Sequence, residues 1–392
     1  MVRRASLVAM IVAASMMLPA TADARKPHWE RRIDAIVAGH PMSVAAGNGR
    51  VWYRHHPAVA RAPASNEKLL LSMALLDRLG ASHTFTTRAT AGGIDADGAV
   101  AGDLYLRGSG DPEVSGPRLS TIAKRVWRAG VRSIEGRVIG VTGPFRRDWF
   151  APGWKSYFPR DYIALPTALT FRGNTDASGR HIKDPERRAA AALSHALRSR
   201  GITIGRRAAA GTGGAHLDTI ATAASKPLRT IVLHMDRWSI NFSAEVLGKA
   251  LAYAAGVDAT IANGAARICR LEAARGIAAT CHDSSGLSYS NRQSAAGIIR
   301  MLWWAGRQPW LGALRTALPH ANQGTLRHRL RGVKIRAKTG TLIGVSALSG
   351  WVWSAAVDRW VAFSILSSGM STAVAKDLED RVVRVLAARA RP

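Results

Sequence analysis

Cysteine and acidic residues are both scarce in this chain of 392 residues. It has two cysteines, and none of its twelve histidines lies in a cluster with ligand spacing, which argues against a metal site and against a small disulfide-rich fold. Only 26 acidic residues oppose 55 basic ones, mostly arginine, so the formal net charge is +29. Apolar residues make up 47% of the chain, which excludes a disordered basic tail and predicts folded domains with a sizeable core.

Long apolar runs are confined to the start of the chain. Arg3 and Arg4 precede an apolar stretch over residues 5–20, and a small-x-small site ends at Ala24. This pattern predicts a secretory signal peptide over residues 1–24 and an exported, periplasmic or extracytoplasmic protein. The apolar stretch is shorter than the roughly 20 residues of a membrane-spanning helix. An uncleaved anchor is the alternative, and no transmembrane segment is expected in the mature chain.

The basic excess points to an anionic partner. Export makes nucleic acid an unsuitable partner, and the sequence has neither zinc-finger spacing nor a basic motif interleaved with aromatic residues. Anionic polymers of the cell envelope are the remaining candidates. A GC-rich coding sequence would explain the abundance of arginine equally well without any partner.

The two cysteines, Cys269 and Cys281, are close in sequence. In an oxidising compartment such an even pair is expected to form a disulfide, worth roughly 3 kcal/mol in the chain-entropy picture. Two buried free thiols are the alternative.

The pattern of elements predicts an α/β fold with an inserted domain. Residues 69–79 form a helix that is apolar nearly all round, as in a helix inside a domain. Residues 89–225 differ, because short strand-like runs alternate with Gly, Asp and Pro turns. Three strands and a final helix close the chain over 334–390. We therefore predict one domain made of residues 25–88 and 226–392, interrupted by an insert at 89–225.

Three short motifs occur in order along the chain. Residues 65–68, Ser-Asn-Glu-Lys, are the only Ser-x-x-Lys, and positions i and i+3 share a helical face, so Lys68 can reach the Ser65 hydroxyl as its base. Residues 239–241, Ser-Ile-Asn, offer a second hydroxyl and an amide. Residues 338–341, Lys-Thr-Gly-Thr, lie on a predicted strand and supply a second cation, two hydroxyls and a glycine beside which a substrate backbone can lie. The alternative is a capping serine, a surface lysine and an ordinary turn.

This ordered set resembles the penicillin-recognising serine acyl transferases. The 174 residues between Ser65 and Ser239 and the sequences beside the motifs narrow the resemblance to the D-alanyl-D-alanine carboxypeptidase/endopeptidase family, the low-molecular-mass class C penicillin-binding proteins. The segments that resemble this family are 63–69 (Pro-Ala-Ser-Asn-Glu-Lys-Leu), 108–112 (Gly-Ser-Gly-Asp-Pro), 283–288 (Asp-Ser-Ser-Gly-Leu-Ser) and 337–342 (Ala-Lys-Thr-Gly-Thr-Leu).

The resemblance implies a β-lactamase/transpeptidase-like domain, an antiparallel sheet flanked by helices, and a serine-type hydrolase without a metal or other cofactor. It implies peptidoglycan stem peptides as substrates and β-lactams as inhibitors. Its catalytic residues would be Ser65, Lys68, Ser239 and Lys338. Its substrate-binding residues would be Asn241, Thr339, Gly340 and Thr341.

The chain departs from the family at two points. Ile240 stands where the family usually has Asp, so a carboxylate is missing from the second motif, and the insert is shorter than usual. Glu67 is interpreted as a surface charge. Segment 283–288 is interpreted either as a border of the site or as a simple turn. Aromatic residues around 148–162 either line a pocket or pack in the interior.

Two other functions remain open from the sequence. One is a serine β-lactamase or esterase on the same fold. The other is an inactive, cationic protein that binds the cell envelope, which the net charge and Ile240 would suit.

Overall fold

The computed structural model describes residues 26–214 and 216–392, so the predicted signal peptide lies outside the described residues. Within them the chain forms the following strands: β1 (Met42–Gly47), β2 (Val51–His55), β3 (Thr86–Ala91), β4 (Ala99–Val100), β5 (Leu104–Arg107), β6 (Ser133–Ile134), β7 (Val138–Val141), β8 (Thr203–Ile204), β9 (Ala209–Gly211), β10 (Asp218–Ala224), β11 (Ile335–Leu342), β12 (Val345–Ser354) and β13 (Arg359–Ser368).

The described residues also form helices, from the short α4 to the long C-terminal α11. They are α1 (His28–Val37), α2 (Glu67–Leu79), α3 (Gly116–Arg128), α4 (Phe158–Asp161), α5 (Pro185–Arg198), α6 (Leu228–Trp238), α7 (Asn241–Ala254), α8 (Ile261–Ala273), α9 (Ala295–Ala305), α10 (Leu311–Ala317) and α11 (Thr372–Arg389).

The main sheet is antiparallel, with the strand order β11-β12-β13-β1-β2. Its strands come from both ends of the chain, so the two sequence segments form one domain. One face packs against α1 and α11, and the other face packs against α9 and the helical core around α2, α6 and α7. Strand β12 is buried on both faces because helices cover the sheet on each side.

The insert has its own sheet, with the strand order β10-β3-β5-β7-β9, and a small parallel sheet of β4, β6 and β8. The chain enters through β3 and leaves through β10, and these two strands pair antiparallel. The insert therefore begins and ends at one place, beside the main domain. Helices α3 and α5 cover its core.

One segment of the insert returns to the main domain. After β7, the backbone N–H of Arg146 donates to the Ala259 carbonyl (3.0 Å), and the buried Lys249 of α7 donates to carbonyls of Arg146, Asp148 and Pro166. Residues 145–166 thus lie against α7 and the start of α8. The periodicity of the sequence separated the insert from the main domain but did not reveal this contact.

The predicted fold class is confirmed, as an antiparallel sheet flanked by helices with an α/β insert between the first two motifs. Helix α7 is buried from Phe242 through Ala252, because insert residues 145–166 cover the side that would otherwise face solvent.

Cys269 on α8 and Cys281 in the following loop form a disulfide with a Cα–Cα distance of 5.9 Å. Their sulfur atoms and the buried Glu272 make the single group of three potential metal-ligating side chains among the described residues. Because both thiols are consumed by the disulfide, this group offers one carboxylate and does not form a metal site.

Candidate active site

Ser65 lies in a 3₁₀ turn, Ala64–Asn66, that leads directly into α2. The structure brings Lys68 onto the same face, where its Nζ donates a hydrogen bond to the Ser65 Oγ (3.1 Å). The Lys68 side chain has no solvent exposure, while Ser65 is half-buried and accessible. This pair has the geometry of a nucleophile beside its base.

Lys68 has two further acceptors. Its Nζ donates to the Asn241 Oδ1 (2.7 Å) and to the Ser285 carbonyl (2.5 Å). Burial lowers the pKa of Lys68 to about 8, and nearby carboxylates, Asp283 first among them, oppose that decrease. A lysine with this pKa has an appreciable neutral fraction near neutral pH and can accept the proton of Ser65.

Ser239 and Lys338 form a second hydroxyl–amine pair. Ser239 ends α6 in a left-handed conformation (φ 57°), and the Lys338 Nζ donates to its Oγ (3.0 Å). Burial and the charge of Lys68 lower the pKa of Lys338, while Asp236 opposes them. Because the charge of Lys68 acts on Lys338, the two lysines belong to one electrostatic site. Thr339, the next residue of β11, donates a hydrogen bond from its hydroxyl to the Thr325 hydroxyl (2.7 Å).

Gly340 lets β11 pass close to the Ser65 turn. A Cβ at this position would lie 2.6 Å from the Pro63 carbonyl oxygen and 3.0 Å from the Ser65 nitrogen. The absence of a side chain thus lets the chain's own turn pack against β11, and a substrate backbone beside Gly340 stays a prediction. The close approach places the Ser65 N–H beside the strand that carries Thr341.

Segment 283–288 borders the site. Buried Asp283 accepts backbone N–H groups of Gly286 (2.9 Å) and Ser288 (2.8 Å), which shapes the turn that presents the Ser285 carbonyl to Lys68. The Trp154 indole donates to the same carboxylate (2.7 Å). The segment is therefore a border of the site rather than a simple turn, since its Ser285 carbonyl contacts Lys68.

Gly286 is required by this turn, and its replacement by alanine should impair folding and chemistry together. Its φ is +78°, and a Cβ would lie 1.9 Å from the Ala64 carbonyl oxygen, next to Ser65. We expect Gly286→Ala to destabilise the protein by about 2 kcal/mol or more and to slow acylation of the remaining folded protein at least about tenfold.

Gly256 supplies the matched control for that substitution. Its φ is +74°, but no atom lies within 4 Å of its Cβ position. Gly256→Ala should carry only the backbone cost of about 1 kcal/mol, with normal acylation. Thermal unfolding and labelling by a fluorescent penicillin measure both effects. Equal acylation rates in the two variants would show that the Gly286 contact does not position Ser65.

The interpretation of Glu67 as a surface charge is wrong. Its side chain has no solvent exposure, because α2 is buried on all sides through Leu76. Burial raises the pKa of Glu67 well above its usual value, and the nearby Glu272 and Asp283 add to the effect. Glu245 is equally buried, and burial raises its pKa to about 8. The catalytic helix thus lies against a group of carboxyl side chains that sequence patterns did not indicate.

The aromatic residues of the insert divide between packing and exposure. Trp154 is buried, whereas Phe150 and Tyr162 are each 54% exposed. The Tyr162 carbonyl accepts a bond from the Asn241 side-chain amide (3.4 Å), so this segment ends beside the site. Ile240, 36% exposed at the start of α7, leaves that helix N-terminus without an acidic side chain. A role of Phe150 and Tyr162 in lining a substrate pocket stays a prediction.

This chain is similar to known D-Ala-D-Ala carboxypeptidases and to a penicillin binding protein. Residues 34–176 and 158–389 match the D-Ala-D-Ala carboxypeptidase 3 (S13) family. A D-alanyl-D-alanine carboxypeptidase of Actinomadura sp. (strain R39) is 27% identical over 98% of this chain and 90% of its own length. Penicillin binding protein 4 (dacB) from Haemophilus influenzae has the same fold, with a TM-score of 0.79, 19% identity, and coverage of 91% of this chain and 99% of that one. Its complex with a β-lactam superposes with a TM-score of 0.72 at 20% identity, again covering 91% and 99%. The chain belongs to the D-Ala-D-Ala carboxypeptidase 3 (S13) family.

Proposed function

We propose that this protein is a penicillin-sensitive serine D-Ala-D-Ala carboxypeptidase and DD-endopeptidase that acts on peptidoglycan stem peptides through an acyl-enzyme on Ser65. The observation that carries the proposal is the buried Lys68 amine bonded to the Ser65 hydroxyl. Membership of the S13 family supports the reaction class.

Acylation follows from the two hydroxyl–amine pairs. The Ser65 Oγ attacks the carbonyl carbon between two D-amino acids while its proton passes to the Lys68 Nζ. Backbone N–H groups of Ser65 and Thr341 hold the negative oxygen of the tetrahedral intermediate. When the C–N bond breaks, Ser239 delivers its proton to the leaving amine and takes the proton held by Lys68, which restores the neutral Lys68 amine. Lys338 provides the adjacent positive charge.

Deacylation and substrate binding use the same groups. Water attacks the Ser65 ester and gives up a proton to the restored Lys68 amine. When the C–O bond to Ser65 breaks, Lys68 returns that proton to the Ser65 Oγ, and the shortened peptide leaves with a free carboxyl group. Lys338, Thr339 and Thr341 bind the terminal carboxylate of the substrate, with Gly340 keeping β11 close to Ser65. Asn241 holds the substrate amide from the other side. These steps need no cofactor.

An extracytoplasmic location is consistent with such a substrate and with the predicted signal peptide. Across residues 26–214 and 216–392, no helix combines the length and apolar character needed to cross a membrane. We infer that part of the basic charge contacts anionic polymers of the envelope. Helices α1 and α11 present Arg32, Arg381 and Arg384 around one surface groove, away from the residues of the active site.

A fluorescent penicillin and a D-Ala-D-Ala peptide test the proposal on the same preparation. The wild-type protein should form a stable adduct that maps to Ser65 and should release D-alanine, whereas Ser65→Ala should do neither. Ser43→Ala is the control, since Ser43 is a buried serine of β1 bonded to Arg61 rather than to a catalytic lysine.

Three outcomes would contradict the proposal. Rapid hydrolysis of the penicillin without a lasting adduct would indicate a β-lactamase. Binding to purified sacculi with no adduct and no D-alanine would indicate an inactive envelope-binding protein. Equal labelling of wild type and Ser65→Ala would exclude Ser65 as the nucleophile.

A digest of monomeric and cross-linked muropeptides, analysed by mass, then measures the ratio of carboxypeptidase to endopeptidase activity.

A further inference from the structure

We propose that Asp236 is a positioning residue of this active site, which joins the helices of the first and second motifs and sets the charge balance of Lys68 and Lys338. This inference rests on the proposed function of the site. It concerns a residue outside the three motifs, which the mechanism above does not use.

Asp236 lies at the junction of two helices that carry catalytic residues. It is fully buried on α6, one turn before Ser239. Its Oδ2 accepts a hydrogen bond from the Ser72 hydroxyl (2.7 Å), and Ser72 is itself buried on α2, one turn after Lys68. The bond therefore links the helix of the Ser65–Lys68 pair to the helix that ends in Ser239.

The second carboxylate oxygen of Asp236 has no hydrogen-bond partner among residues 26–214 and 216–392. This Oδ1 atom is buried. The Ser72 bond thus satisfies only half of this carboxylate, although a buried carboxylate normally accepts several bonds. A buried carboxylate with a free acceptor atom is stabilised by nearby positive charge. The charged groups that act on Asp236 are Lys338 of β11 and Lys68 of α2.

Among the described residues, Asp236 is the carboxylate that raises the pKa of Lys338, against burial and the repulsion of Lys68. Lys68 differs, because Asp283 raises its pKa more than Asp236 does. Loss of the Asp236 charge should therefore leave burial and the charge of Lys68 unopposed at Lys338, so that the pKa of Lys338 falls further. Since the proposed role of Lys338 requires a cation, Asp236 preserves that cation in a buried site.

The position of Asp236 also bears on Ile240. The second motif carries no carboxylate at its centre, where the family usually has Asp. Asp236, one helical turn earlier, supplies a carboxylate to the same two-lysine site from the buried side of α6.

Asp236→Asn tests this inference through the pH profile of Ser65 acylation. The substitution keeps the volume and an acceptor for Ser72 but removes the charge, so the pKa values of both lysines should fall. The acid limb requires neutral Lys68 and the alkaline limb requires charged Lys338, so both limbs should move to lower pH, by about one unit. Ser72→Ala should shift the profile in the same direction by less, because a carboxylate without its donor is protonated more readily.

Glu186→Gln is the matched control. Glu186 is a fully buried carboxylate paired with Arg147 in the insert. This variant should leave the pH profile of acylation in place.

A profile that keeps its position in Asp236→Asn, with only a uniform decrease in rate, would overturn the inference and leave a merely structural role. If melting curves show that Asp236→Asn does not fold, an unshifted profile of Ser72→Ala has the same consequence. A wild-type protein that is never acylated would instead overturn the proposed function, so the two failures are distinguishable.

Discussion

Replacing Lys68 by methionine is expected to slow acylation of Ser65 by about 10³-fold while the protein stays folded. The Lys68 Nζ donates a hydrogen bond to the Ser65 Oγ and is the proposed acceptor of its proton. A methionine side chain has a similar length but accepts no proton at physiological pH. Methionine also removes a buried charge. The substitution lowers the free energy of unfolding because the Asn241 Oδ1 and the Ser285 carbonyl lose their hydrogen-bond donor.

Lys249 offers the matched control, because it is a buried lysine away from Ser65 that also hydrogen-bonds backbone carbonyls. Its Nζ bonds to three carbonyls of the insert segment and lies 2.7 Å from Asp148. Lys249→Met should lower the melting temperature but leave the acylation rate of the folded fraction within a few-fold of wild type. Rates are measured by stopped-flow or quenched labelling with a fluorescent penicillin. A Lys68→Met protein that acylates within tenfold of wild type would exclude Lys68 as the base.

The parts of the site that could be predicted depend on residues close together in the sequence. The i, i+3 spacing predicts that the Lys68 side chain reaches the Ser65 hydroxyl. The residue pattern of β11 and its neighbours predicts the strand that carries Lys338. These features depend on helix and strand periodicity, which a sequence shows directly. The order of the motifs then indicated the domain interrupted by an insert.

The parts that could not be predicted depend on contacts between distant segments. Glu67 has the sequence environment of a surface residue, since a charged residue at the first turn of a helix is usually exposed. It is buried because α8 and segment 283–288 pack against that face of α2, which no local pattern shows. Ser72 and Asp236 lie 164 positions apart, and each alone is an ordinary polar residue of a helix.

The buried carboxyl groups near α2 lead to an unusual pH dependence of stability. Burial raises the pKa of Glu245 to about 8 and raises those of Glu67 and Glu272 above their usual values. The folded protein therefore holds protons that the unfolded chain releases above about pH 4.5. Stability that these groups contribute is complete below that pH and is lost as the pH rises toward 8.

The buried lysines act in a pH range that overlaps only the upper part of this one. Burial lowers the pKa of Lys68 from 10.5 to about 8 and that of Lys338 to about 7, so folding releases their protons and the stability that they contribute rises with pH only above about 7. The carboxyl groups therefore dominate between pH 5.5 and 7, and Lys338 offsets only part of their effect between pH 7 and 8. We expect the melting temperature to be at least about 5 °C higher at pH 5.5 than at pH 8.0, since each unit of pKa shift corresponds to about 1.4 kcal/mol.

Glu245→Gln should reduce this difference and raise the melting temperature at pH 8.0. Its Oε1 accepts backbone N–H groups of Ser284 (2.9 Å) and Ser285 (2.7 Å), which glutamine also accepts, while the charge that must be neutralised is gone. Asp377→Asn, on an exposed carboxylate of α11, should leave the difference unchanged. Thermal unfolding of the three proteins at both pH values decides the matter. A wild-type protein that is more stable at pH 8.0 than at pH 5.5 would contradict this prediction. It would show that folding takes up no net protons in this pH range, as expected if these carboxyl groups were ionised in the folded state.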